Sequence, residues 1–115
     1  MNSVRRNERL SAMRAHATDA ARLLRVLANE TRLRILCLLS EGERSVGELN
    51  GEVDLSQSAL SQHLAVLRVD GLVRTRREAQ TIHYSLADGP AVAIIERLHD
   101  IYCNDRVASR RDNGR

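Results

Sequence analysis

The sequence predicts a mainly α domain with one small β-hairpin, its elements running α-α-α-α-β-β-α. Apolar residues first recur at helical spacing between recognisable caps. From Leu72 to Leu86 the period drops to two, and after Gly89-Pro90 it returns to that of a helix.

Thr18 or Asp19 is placed to cap a first helix that reaches about Ala28, with Ala20, Leu23, Leu24 and Leu27 on one face. Asn29 caps a second helix. Glu30 in its first turn complements the helix dipole, and Gly42 lies just past its end. Ser45-Val46-Gly47-Glu48 has the spacing of a capping box and opens a short third helix. Asp54-Leu55 makes a tight turn, after which Ser56 caps a fourth helix ending at Asp70-Gly71. LVRTRR and TIHYSL then pair as a hairpin around Glu78-Ala79-Gln80, with Ile82, Tyr84 and Leu86 alternating along it. Pro90 suits the first position of the last helix, since its missing N–H has no partner there anyway. A short helix, a tight turn, a second helix and a basic hairpin describe a winged helix-turn-helix. The domain is expected over residues 16–104, between loose arginine-rich ends over 1–15 and 105–115.

At 115 residues there is room for one core only. No apolar run approaches the roughly 18 residues of a membrane span, and no apolar stretch follows the N-terminal arginines as a secretory signal would. The expectation is a cytoplasmic protein without a membrane partner, in which a standing disulfide would be unusual. A formal charge of +3 favours an anionic partner, although all 18 basic residues are arginine, a bias that genome composition alone can produce. With two tyrosines and no Phe or Trp, the chain lacks the ring platforms on which single-strand binders stack bases. It also lacks an acid–base pair or a phosphate-cradling loop, so an enzyme is not expected, and no cofactor is implied.

On a helical wheel, Gln57, Ser58, Ser61, Gln62 and Ala65 share one arc of the fourth helix, opposite Ala59, Leu60, Leu64 and Leu67. The polar arc is uncharged and rich in amides and hydroxyls, groups that can read base edges in a major groove. A merely solvated face would carry more Lys and Glu. His63 falls in the apolar arc and reads as a packed histidine. Arg74, Arg76 and Arg77, with Gln80 at the tip, give the hairpin a basic edge suited to phosphate or minor-groove contact. The last helix carries Ala91, Ile94, Ile95, Leu98, Ile101 and Tyr102 as a wide apolar stripe, more than so small a domain can cover by itself. Pairing with a twin would bury it, and two recognition helices would then read half-sites of an inverted repeat about 34 Å apart.

LANETRLRILCLL, SVGELN, LSQSALSQHLAVLRVDGLV and REAQTIHYSL together resemble successive segments of the ArsR/SmtB winged-helix repressors, a likeness covering roughly residues 18–104. It implies a homodimer formed by the first and last helices, bound to double-stranded operator DNA until an inducer releases it. The family's metal patterns are not matched. Ser45 and Gly47 stand at the cysteine positions of one, and Gly89, Pro90, Ile101 and Asn104 interrupt the other, so no metal site is expected. Two cysteines do not complete a tetrahedral zinc site, even with help from His99.

Cys37 in RILCLL and Cys103 in HDIYC resemble instead the thiols of the persulfide-sensing branch of that family, of the BigR and SqrR type. The resemblance implies a sensor in which low-molecular-weight persulfides are the inducer and the two sulfurs become cross-linked, controlling genes for sulfide or sulfur detoxification. A plain disulfide needs Cα atoms within about 7 Å, whereas inserted sulfur atoms lengthen the link. Arg34 and His99, one helical turn from the thiols, are candidates to stabilise the thiolates. The alternatives are a general thiol-oxidation or metalloid sensor on the same scaffold, and a DNA-binding activator or anti-repressor whose cysteines only pack.

Overall fold

The computed structural model describes residues 2–103, and the side chains of residues 6–103. Five helices and a small three-stranded sheet follow in the order α1 (Asn2–Leu27), α2 (Glu30–Glu41), β1 (Arg44–Ser45), α3 (Val46–Glu52), α4 (Gln57–Val69), β2 (Val73–Glu78), β3 (Thr81–Leu86) and α5 (Pro90–Cys103). This is the expected winged helix-turn-helix, with one strand more than the sequence predicts.

The caps behave as their residue types require. Asn29 Oδ1 accepts the backbone N–H of Arg32 at 3.0 Å, and the side chain of Arg32 turns back to donate to the Val26 carbonyl at 2.7 Å. One residue thus closes the junction between α1 and α2 from both sides. At α3 the capping box is complete: Glu48 N–H donates to Ser45 Oγ at 3.1 Å, and Ser45 N–H donates to Glu48 Oε1 at 2.9 Å. Ser56 Oγ accepts Ala59 N–H at the start of α4. The far end of α4 closes through Gly71, whose φ of +73° only glycine adopts at little cost. Leu72 N–H then reaches the Leu67 carbonyl and Gly71 N–H that of Arg68, so the chain reverses directly into β2.

Two expectations need correction. The first helix does not start at Thr18 or Asp19: α1 runs unbroken from Asn2 to Leu27, with both residues inside it, and passes through the stretch expected as an arm. Nothing in Arg, Ala, Glu, Met and Leu stops a helix from extending upstream of a plausible cap. Along that extension Leu10 and Met13 are 58% and 59% exposed. Leu24, expected on the buried face, is 57% exposed, while Val26 and Leu27 are buried. The second correction is β1, two residues too short to show a period, which pair with β3 and make it the central strand in the order β1-β3-β2. The tail over 105–115 lies outside the described residues.

Ile35, Leu36, Leu49, Leu60, Leu67 and Ile95 are fully buried and join α2, α3, α4 and α5 in one core. Among the described residues no buried side-chain polar atom lacks a partner. No described helix is long and apolar enough to cross a membrane.

Candidate nucleic-acid interface and thiol pair

Core packing fixes which side of α4 faces outward. With Leu60, Leu64 and Leu67 buried, Gln57, Ser58, Ser61, Gln62 and Ala65 are all exposed, as the wheel predicts. His63 is half-buried at the margin of the apolar arc. Gln57 opens α4, Gln80 sits at the hairpin tip, and the two line one open groove with Asn50 and Thr81. Asn50 and Thr81 were not singled out by sequence reasoning. Asn50 is an exposed amide on α3, and only the fold brings it beside Gln57.

The hairpin register divides the wing arginines. Val73, Thr75 and Arg77 pair with Leu86, Tyr84 and Ile82, and Arg74 and Arg76 pair with Ser85 and His83 on the other face. Glu78 pairs with Thr81, so the turn itself is Ala79-Gln80, with Ala79 at φ +57°. A non-glycine residue held there costs on the order of 1 kcal/mol, a local strain at the tip. Arg74 and Arg77 are exposed. Arg76 is engaged within the protein. Its Nε and Nη2 donate to the two carboxylate oxygens of Glu43 at 3.1 and 2.8 Å, and Nη1 donates to Glu78 at 3.0 Å. Those hydrogen bonds hold the Glu43 carboxyl below the usual carboxylate range and push the Arg76 guanidinium up.

The two thiols line neither the groove at Gln57 nor the wing. Cys37 is half-buried on α2, lining a cleft with Leu33, Leu38 and Val53, and Cys103 is exposed at the last turn of α5. Both are free, and they stand on α2 and α5, two helices packed against each other. The Cys37 pKa is raised, first by burial, then by Cys103 and then by Glu41. This corrects the expectation of a thiolate stabilised by Arg34, which pairs with Glu30 at 2.9 Å instead. Among the described residues no group of three or more metal-ligating side chains converges.

Three properties now stand together: an outward amide-and-hydroxyl helix face, a basic ribbon beside it, and two free thiols on the packed helices α2 and α5. Residues 29–75 match the family model described as bacterial regulatory protein, arsR family. The transcriptional activator HlyU of Vibrio cholerae serotype O1 is 55% identical over 82% of this chain and 87% of its own length. A biofilm growth-associated repressor of Agrobacterium fabrum is 50% identical over 82% of this chain and 80% of its own. The crystal structure of the transcriptional repressor BigR from Xylella fastidiosa superposes with a TM-score of 0.75 at 40% identity, covering 83% of this chain and 94% of that one.

Proposed function

The chain belongs to the arsR family of bacterial regulatory proteins, and from that premise we propose that it is a dithiol-controlled, homodimeric transcriptional repressor. It holds operator DNA while Cys37 and Cys103 are reduced and releases it when persulfides or polysulfides cross-link them. The observation that carries the reading is the packing of α2, which holds Cys37, against α5, which ends at Cys103, with both thiols free.

Gln57, Ser58, Ser61 and Gln62 enter the major groove from the exposed face of α4, and Arg77 and Gln80 contact the backbone or minor groove from the wing. Dimerisation is supported by apolar residues that one chain leaves in water. Leu10, Met13, Ala17, Ala20 and Leu24 follow one another at alternating spacings of three and four along α1, the spacing of a helix–helix seam. A groove between α1 and the start of α5, lined by Leu23, Val26, Pro90 and Ile94, continues that surface.

The exposed Cys103 is the first to react, because burial disfavours the Cys37 thiolate. Its thiolate attacks the sulfane sulfur of a persulfide RSSH, forming Cys103–SSH and expelling RS⁻. When Cys37 has gained a sulfur in the same way, one terminal persulfide sulfur attacks the inner sulfur of the other, closing a trisulfide and releasing HS⁻. Each bridge is thus made at the expense of a reduced sulfur leaving group, with no further oxidant. The bridge pins the end of α5 to α2 and shifts the dimer contact, moving two recognition helices off their half-sites.

Mass spectrometry after glutathione persulfide treatment, run beside an operator-release assay, tests this. The expected product carries whole added sulfur atoms between Cys37 and Cys103 and no longer binds DNA. A protein that gains no sulfur, or gains it without releasing DNA, removes the sensor reading. A second reading is favoured by the 55% identity to a transcriptional activator. There DNA binding serves to displace another bound protein, the cysteines only pack, and persulfide leaves DNA binding unchanged.

A further inference from the structure

Arg76 and Arg77 are neighbours in sequence, yet the sheet sends them to opposite faces. Arg77 makes no hydrogen bond or ion pair among the described residues. Arg76 makes three hydrogen bonds to two carboxylates. We propose that Arg76 is a positioning residue: it clamps the wing to the loop ahead of the helix-turn-helix and does not itself touch DNA. This rests on the DNA-reading face proposed above and goes beyond it by dividing the work between two adjacent arginines.

The register makes the clamp's span clear. Arg76 stands opposite His83 and His83 opposite Ser45, so the row from β2 to β1 crosses two strand spacings, roughly 10 Å. Glu43, two residues before Ser45, receives the guanidinium in a bidentate pair, the geometry that fixes orientation as well as distance. Ser45 is the N-cap of α3, so Glu43 immediately precedes the helix-turn-helix. The same loop is tied from its other side. Arg44 donates to the carbonyls of Gly42 and Glu43, both at 3.2 Å, and approaches Glu52 of α3 at 3.4 Å. The loop thus has little freedom of its own, and whatever it grips is held relative to α3.

What it grips needs holding. A two-stranded ribbon is marginally stable alone, and only the two residues of β1 extend this one beyond a hairpin. The clamp also disfavours direct phosphate contact by Arg76. Two carboxylates occupy the directions from which a phosphate would approach, and the Glu43–Arg76–Glu78 group is net negative. Exposed ion pairs add little to folding stability, so the expected effect lies in where the wing sits.

The test compares the parent with Glu43→Gln, Arg76→Glu, the exchanged pair Glu43→Arg with Arg76→Glu, and Arg77→Ala. The probe is a synthetic duplex enriched from a random pool by the parent. If Arg76 positions the wing, Glu43→Gln weakens binding about tenfold, equivalent to about 1.4 kcal/mol, with its unfolding midpoint unchanged. The exchanged pair then recovers most of the affinity that Arg76→Glu loses, because the clamp re-forms in reverse. If Arg76 is a phosphate contact, the signs invert. Glu43→Gln tightens binding by freeing the guanidinium, and the exchanged pair binds no better than Arg76→Glu; either result overturns the proposal. Unchanged binding by Glu43→Gln overturns it as well. Arg77→Ala tests the underlying face: if it binds like the parent, the DNA-reading assignment of the wing fails, whereas the Glu43 result speaks to the clamp. A parent that enriches no duplex removes both.

Discussion

In one region of the domain, the starts of α3 and α4 and the middle of the wing are fixed by short polar contacts. Ser45, Glu48, Ser56, Glu43 and Arg76 each have a defined partner there. In another region two free thiols stand on the packed helices α2 and α5, and neither sulfur is held by a hydrogen bond among the described residues. The difference is one of directionality. Hydrogen bonds and bidentate ion pairs hold groups at set angles, which a surface reading base edges requires. Apolar contacts are non-directional and let a helix end shift. In the proposed switch, a pre-set reading head is joined to a sensing site held mainly by apolar packing.

The largest expected effect lies outside both regions, at the proposed dimer seam. Leu24 is 57% exposed in a single chain, so Leu24→Glu costs the monomer's fold little. In a dimer it would place like charges across an apolar seam. Sedimentation should find monomers, and operator affinity should fall below detection because one half-site offers few phosphate contacts. A Leu24→Glu dimer of parental affinity would move the interface elsewhere.

The next effect isolates the proposed sensing site. Cys37→Ser leaves a hydroxyl that can bond back to the Leu33 carbonyl one turn earlier, so the fold should survive. Cys37→Ser and Cys103→Ser should each bind operator like the reduced parent and stay bound after persulfide treatment. The double variant should match either single one, because a bridge needs both sulfurs. Release that persists in both serine variants would eliminate the cross-link and leave the reading head untouched.

These two regions were unequally legible in the sequence. The helix starts were readable because Asn29, Ser45 and Ser56 announce themselves by residue type and spacing, and the outward arc of α4 followed from its leucines. The extension of α1 was hidden because Thr18 and Asp19 satisfy the rule for a cap and nothing local vetoes it. The role of Glu43 was hidden for a different reason. Its partner lies 33 residues away, and only sheet register brings the two together. Arg76 accordingly looked like any basic ribbon residue. The thiol pair came from resemblance, and its proximity needed α5 packed on α2.

Within the reading head the effects are smaller and of two kinds. Gln57→Ala should relax preference at one base position by on the order of 1–3 kcal/mol, measured by comparing matched and substituted duplexes. Arg77→Ala should weaken binding to all sequences alike and reduce the slope of log affinity against log salt by about 1. Should Gln57→Ala also weaken all sequences equally, the groove assignment of α4 would be wrong.

The smallest effect tests whether the reading head is held as the structure has it. Ser45→Ala removes the α3 cap and should cost about 1 kcal/mol of folding stability. Its partner supplies the pH signature. The Ser45 backbone N–H, the Ser45 side chain and the nearby Arg44 and His83 hold the Glu48 carboxyl below its ordinary value. A carboxyl whose folded pKa is depressed contributes stability that is fully present above its unfolded pKa, about 4.3, and lost as pH falls through the folded one. Glu48→Gln keeps the shape of the capping box but cannot titrate. The parent should therefore be slightly more stable than Glu48→Gln at neutral pH, and the gap should close as the solution is taken below the ordinary carboxylate range. Arg76 and Glu43 are unchanged in both proteins, so the depressed Glu43 carboxyl contributes equally and cancels in the difference. A gap that stays constant into acid would mean that Glu48 is not bound to the start of α3 in solution, and the rigid side of the comparison would lose its first contact.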